Sequence, residues 1–229
     1  MSATAKEFAE VYRRFTAPLS KRVDCGSKCA PHNGGIPFCC DVDNAIPLVD
    51  KGEFQLLKSR TDMWTRLRPS TPSQRKEVKD LESSDSCAVK CKGVAHCERD
   101  NRSLACRAFP YFPYFDAEKN LVGLAHYWGF EGQCWVIHNP EVVDKKFVKE
   151  MIDSHEYLFL KDPDWAETFA ENSASMRRVY SRRNKKFLIL HRDGNQYWVL
   201  PYSGGKMVLA KTADVDKLKK GYPDAPATT

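Results

Sequence analysis

The chain has 229 residues, a net charge of +6 and 11% aromatic residues. That length carries one large domain or two small ones with a substantial core, and the aromatic content argues against disorder. No run of about 18 apolar residues exists, which excludes a membrane span, and the polar opening Met1–Glu7 lacks the apolar region of a signal peptide. The mild positive charge permits an acidic or nucleic-acid partner without demanding one.

Thr4-Ala-Lys-Glu7 has the form of a capping box, and Phe8, Val11, Tyr12 and Phe15 follow at helical spacing. This predicts a helix that ends before Pro18 and delivers the chain to a Gly- and Pro-punctuated loop, 24–43. Asp50-Lys-Gly-Glu53 resembles a second cap, with Phe54, Leu56, Leu57 and Trp64 on a helix of about ten to fifteen residues. Residues 66–86 are polar and rich in Ser and Thr, a surface excursion with one short helix at 74–81. Phe109-Pro-Tyr-Phe-Pro-Tyr-Phe115 and Leu121–Trp128 form a hairpin whose prolines confine its first strand to a sheet edge.

Asn139-Pro140-Glu141 opens a helix carrying Val143, Phe147, Met151 and Leu158. Asp162-Pro163 starts another, with Trp165, Phe169, Met176, Val179 and Tyr180 on one face. Three strands, 187–191, 197–201 and 207–211, then form a meander joined at Asp193-Gly194-Asn195 and Ser203-Gly204-Gly205. Residues 221–229 are expected to be a frayed tail. The predicted class is α+β: a Cys-rich loop-and-helix region over 1–138, then helices and a small antiparallel sheet over 139–229, which either stand apart or pack as one domain.

Eight of the nine cysteines fall in two short runs: Cys25, Cys29, Cys39 and Cys40, then Cys87, Cys91, Cys97 and Cys106. Without a signal peptide a reducing, cytoplasmic setting is expected, where clustered thiols mean metal or redox chemistry rather than structural disulfides. The odd count also fits a disulfide framework poorly. Thiolates are soft anionic ligands that suit zinc and iron–sulfur clusters. Cys25/Cys29 and Cys87/Cys91 fall within zinc-pair spacing, whereas adjacent Cys39-Cys40 does not. So many thiols favour a cluster, two centres, or one centre with free redox-active cysteines. Cys134 stands apart, either a late ligand or a core residue. His32 and His96 lie among the thiols, and His126 and His138 read as structural. Arg102 and Arg107 bracket Cys106, where cations offset thiolate charge and tune a cluster.

Cys39-Cys40, then Ile46-Pro-Leu-Val-Asp-Lys-Gly-Glu-Phe54, Cys91, Cys97 and Arg102-Ser-Leu-Ala-Cys106-Arg107-Ala-Phe-Pro110 resemble the YkgJ-like cysteine-cluster family. The resemblance spans about residues 23–115. It implies zinc or iron–sulfur binding with Cys25, Cys29, Cys39, Cys40, Cys91, Cys97 and Cys106 at the matching positions. Three features depart from the family pattern: the insert before Cys39, Ser103 where proline is usual, and the extra 66–86 segment. Flagellin lysine methylases carry a similar region, which places a modifying enzyme among the expectations.

The expected function is therefore a metal-binding protein holding an iron–sulfur cluster, 4Fe-4S by preference, or zinc. It would act in redox chemistry or in modification of a protein or small molecule, with aromatics such as Tyr111, Tyr114, Tyr127 and Trp128 walling its pocket. The alternative is a structural zinc domain serving as a binding module for protein or nucleic acid. A nucleic-acid partner rests on Arg177-Arg178, Arg182-Arg183 and Lys185-Lys186, charges that a helix C-terminus explains equally well. No nucleotide-cradling or hydrolase motif is present, and neither substrate nor redox partner is named by any motif.

Overall fold

A computed structural model of the chain describes residues 2–223. The first helix, α1 (Ala5–Arg14), forms where the capping box predicts it. Thr4 Oγ1 accepts from the Glu7 amide at 3.4 Å and the Glu7 carboxylate accepts from the Thr4 amide at 2.8 Å, so two free helix-end donors are satisfied reciprocally. Its apolar stripe buries Phe8, Val11 and Tyr12.

The cysteine loop is more ordered than its Gly and Pro content suggests. It holds α2 (Gly26–Cys29) and two single 3-10 turns, Ala30–His32 and Phe38–Cys40. The chain then enters β1 (Leu48–Asp50) and, through Asp50, α3 (Lys51–Arg60); the Asp50 carboxylate accepts from the Gly52 amide at 2.6 Å. Gly52 is needed here, because a Cβ would stand 2.2 Å from the Ala3 carbonyl oxygen where α1 and α3 meet. Trp64 lies not on this helix but on β2 (Trp64–Arg66), since Thr61 ends the helical run in extended conformation. α4 (Pro72–Leu81) occupies the polar excursion.

Cys87 and Cys91 sit on a strand rather than a loop: β3 (Ser86–Cys91) is the middle member of a three-stranded antiparallel sheet, order β1-β3-β2. Cross-strand pairing sets Cys87 against Val49 and Cys91 against Trp64. Alternation along β3 turns Cys87, Val89 and Cys91 to one core, with Leu57, Met63 and Trp64, and Ala88 to another beside Leu67 and Val78.

After α5 (Leu104–Ala108) come β4 (Tyr111–Phe115) and β5 (Leu121–His126). β5 ends two residues before Trp128, which starts a 3-10 turn. The next elements are α6 (Trp135–His138), α7 (Lys145–Lys161) and α8 (Pro163–Arg182). The first long helix begins later than Asn139-Pro140 suggests: those residues make a separate 3-10 turn, and Asp144 is the cap, accepting from the Lys146 amide at 2.8 Å. β6 (Phe187–His191), β7 (Gln196–Leu200) and β8 (Lys206–Leu209) are the expected meander, followed by α9 (Thr212–Lys219), which the sequence reading omits.

The hairpin and the meander form one antiparallel sheet, order β4-β5-β6-β7-β8. The β5–β6 pairing joins residues on either side of position 138, and Gly123 permits it, because a Cβ there would lie 2.4 Å from the Leu190 carbonyl oxygen. β4, with Pro113, is an edge strand as its prolines require. Alternation along β4 sends Tyr111 into the main core with Phe8, Phe15 and Phe147, and Phe112 and Tyr114 into a second core with Met176, Tyr180 and Phe187. The molecule is α+β. Among the described residues no helix is long and apolar enough to cross a membrane. The tail expected at 221–229 lies largely outside the described residues; within them, the Tyr222 ring packs on His32 at 5.2 Å and His138 at 5.7 Å.

Candidate metal centre

The two cysteine runs meet. Cys25 caps α2 and Cys29 ends it, so one helical turn puts both thiols on one face. Cys39 and Cys40 lie on the 3-10 turn that follows. From the second run, Cys91 ends β3, Cys97 follows a 3-10 turn, and Cys106 sits in the middle of α5. Cys106 feels the charge of Cys40 and Cys91, and Cys39 feels that of Cys106 and Cys25, so the runs share one electrostatic neighbourhood.

Cys87 falls outside it. On a strand, positions i and i+4 are roughly 13 Å apart at about 3.3 Å per residue. Cys87 and Cys91 therefore cannot share an ion, whatever their spacing in sequence. Cys87 is fully buried at 0% exposure, packed with Val49 and Trp64 as a small hydrophobe.

Arg102 is the cation of the cluster. Its Nε donates to Cys97 Sγ at 3.4 Å. Burial works against its charge, but Cys97, Cys106 and Cys40 outweigh it and hold its pKa up. Arg107 spends its donors on backbone instead: Nη1 on the Phe15 carbonyl at 2.8 Å, Nε on the Arg102 carbonyl at 3.1 Å and Nη2 on the Asp100 carbonyl at 2.5 Å. It lies over the Tyr12 ring at 4.4 Å, clamping the loop that carries Arg102.

The thiols differ in acidity for identifiable reasons. Burial pushes Cys25 up to about 11 and Cys106 up to about 12. Cys39 and Cys40 are coupled neighbours: their interaction, with burial, raises Cys39, and it lowers Cys40, to which the nearby Arg102 adds. In reduced, metal-free protein Cys40 is therefore expected to be alkylated by iodoacetamide with a midpoint near pH 7. Cys39→Ala removes the coupled neighbour, and the midpoint should rise toward the ordinary thiol range; a midpoint that does not move rules the coupling out.

Cys134 is buried, 8% exposed, at the start of α6, and burial pushes its thiol up to about 12. Cys25 and Cys29 add to that rise, which sets Cys134 beside the first run. His96 is exposed, and His32 meets the Tyr222 ring edge-on. His138 is held by the Leu218 and Glu131 carbonyls, and His126 by Glu131 and Tyr180, as structural histidines. Of the aromatics expected around a pocket, only Tyr111 borders the thiols. Tyr114, Tyr127 and Trp128 belong to the second core, across the sheet. In the basic run, Arg177 donates to Tyr114 Oη at 3.1 Å and Lys186 covers the Trp198 ring at 4.1 Å, so part of that charge is structural.

Glu53, read from sequence as a capping partner, is 1% exposed. Its Oε1 accepts from Tyr12 Oη at 2.6 Å and from the Leu104 amide at 2.5 Å, tying α1 and α3 to the first turn of α5. Ser103, where the resembling family carries proline, caps α5: its Oγ accepts from the Cys106 amide at 3.2 Å.

Among the described residues no three His, Cys, Asp or Glu side chains stand close enough together to hold a metal ion as placed. The donor chemistry nevertheless suits a soft metal or cluster: several free thiols and one guanidinium, with the Asp24 carboxylate beside Cys25, Cys29 and Cys40. A change of χ1 rotamer moves a sulfur by about 3 Å, the scale on which neighbouring thiols become common ligands. No family model, no curated protein and no solved structure matches the chain.

Proposed function

We propose that the chain is a metal-binding protein, cytoplasmic and related to the YkgJ-like cysteine-cluster family. It holds an iron–sulfur cluster, or zinc, through Cys25, Cys29, Cys39, Cys40, Cys91, Cys97 and Cys106, in redox chemistry or in modification of a protein or small molecule. The observation that supports this best is the meeting of two sequence-distant thiol runs around Arg102. Burying several thiols beside one another has no packing advantage that ordinary hydrophobes would not supply better.

When bound, such a centre would supply an electron carrier or a Lewis-acidic iron. The chain's own groups have separable tasks in this reading. Arg102 offsets thiolate charge, Cys39 and Cys40 give up protons on coordination, and Ser103 with Glu53 fixes the helix that presents Cys106.

Purification without oxygen decides the reading. A brown protein with broad visible absorbance, iron and acid-labile sulfide is expected. A colourless protein with stoichiometric zinc would give the structural zinc domain, and protein retaining neither metal after reconstitution would overturn the reading.

A further inference from the structure

Five cations collect at one end of the larger sheet without a carboxylate to neutralise them. Arg182 ends α8, Arg183 caps it, and Lys185 and Lys186 lead into β6. Asn184 takes the left-handed conformation (φ 49°), and the Lys185 amide donates to the Tyr180 carbonyl at 2.9 Å, so backbone bonds fix the turn that carries them. The fifth, Lys206, comes from a later strand. Phe187 is opposite Val199 and Leu200 opposite Lys206; continuing that register by one residue sets Lys186, Leu200 and Lys206 side by side across three strands. At about 4.8 Å per strand, the Cα atoms of the two lysines stand about 10 Å apart. Both belong to the face of Trp198, whose ring Lys186 covers at 4.1 Å.

All five are exposed, and among the described residues none of them forms an ion pair. Two carboxylates at this end are engaged elsewhere: Glu131 accepts from Tyr180 and pairs with His126 at 3.1 Å, and Asp214 pairs with Lys217 at 2.8 Å. A helix dipole accounts for Arg182 and Arg183, but not for Lys206 on β8. At the same end, the 3-10 turn Pro201–Ser203 presents Tyr202, 50% exposed. That turn is seated on α8, since a Cβ on Gly205 would stand 3.3 Å from Arg177 Cδ.

We propose that this end of the sheet binds single-stranded nucleic acid, with phosphates against Arg182, Arg183, Lys185, Lys186 and Lys206 and a base stacked on Tyr202. Unneutralised cations attract a phosphate backbone whatever its sequence, and an exposed ring accepts the face of any base. A duplex offers the same phosphates but keeps its base faces covered, so the aromatic ring favours the single strand. An anionic membrane would meet the same cations, but the exposed apolar residues that would enter it, Val208 and Leu209, lie about 7–10 Å further along β8. The surface requires no metal, so it stands or falls independently of the cysteine site.

Fluorescence anisotropy of labelled 20-nucleotide oligo-dT and oligo-U, titrated with the full chain at 50 and 200 mM salt, tests this. Binding should be tighter than to a duplex of the same length. If about four phosphates are engaged, affinity should fall about fiftyfold between the two salt concentrations. The double variant Lys185→Gln/Lys206→Gln should weaken binding and cut that salt dependence to about sevenfold, as two contacts are lost. Tyr202→Ala should weaken binding about tenfold and leave the salt dependence unchanged, which separates stacking from charge. Lys76→Gln, on the surface of α4, should change neither. All four positions are exposed, so circular dichroism and melting should match wild type. No binding to either oligonucleotide at 50 mM salt overturns the proposal, as does binding that Tyr202→Ala and the double lysine variant leave intact. Binding to phosphatidylserine-containing vesicles without binding to the oligonucleotides would assign the surface to a membrane and overturn it equally.

Discussion

Cys106→Ser should reduce bound metal to below about a tenth of wild type, while Cys87→Ala should leave the metal content unchanged, by elemental analysis of reconstituted protein. Both residues lie in the same run and would look alike in any count of thiols. The fold separates them: Cys106 is presented by a capped turn of helix between Cys40 and Cys91, and Cys87 is fully enclosed in a sheet. Loss of metal from both variants alike would remove the distinction on which the site rests. Uptake should also depend steeply on pH. Cys25 and Cys106, held up at about 11 and about 12, carry protons at neutral pH, so each must release one to become a ligand. Apparent affinity should therefore rise about tenfold per pH unit for every proton released, between roughly pH 6 and 8.

The second large effect is expected at Glu53. Glu53→Ala leaves the Tyr12 hydroxyl and the Leu104 amide unpaired in the core. Two buried donors stranded at about 1–3 kcal/mol each put the loss at about 2–6 kcal/mol, with the denaturant midpoint falling accordingly. The isosteric Glu53→Gln keeps an acceptor and should cost far less. It should also abolish a pH dependence. Burial raises the folded-state pKa of Glu53 to about 7, against an ordinary value of 4.5, so the folded chain holds a proton that the unfolded chain releases. The associated stability is fully present below about pH 4.5 and is lost as pH rises to about 7. On this count wild type should be less stable at pH 8 than at pH 4.5, on the order of 3 kcal/mol from this residue, relative to Glu53→Gln measured alongside. Parallel pH profiles for the two proteins would show that Glu53 does not titrate in this window.

Elements with a local chemical signature were readable in advance. Thr4 and Asp50 declare helix starts, because a short polar side chain can satisfy a free amide two or three residues on. Pro113 declares an edge strand, because it has no amide to donate. What escaped the reading depends on partners far away in sequence. Cys-Ala-Val-Lys-Cys reads as a ligand pair because a thiol is equally a ligand and a small hydrophobe, and only pairing with β1 and β2 makes the segment a strand. Trp64 continues an apolar helical spacing but is captured by Cys91 across a sheet. Glu53 satisfies the pattern of a capping box and is used elsewhere, because Tyr12 and Leu104 compete for its carboxylate with a better-buried geometry. Within the site, the thiols of the two runs were legible as a group. The exclusion of Cys87 was not, since only its pairing across the sheet separates it from the other thiols of its run.

The pairing of β5 with β6 has a consequence for the order in which the molecule is assembled. During synthesis the sulfur-bearing segments and the β4–β5 hairpin emerge first, and the strand that completes the hairpin's free side follows only after both long helices. Until then the hairpin is a two-stranded ribbon, a structure that is marginal alone in water. The sheet that backs the main core is therefore finished late in translation, after both long helices have formed.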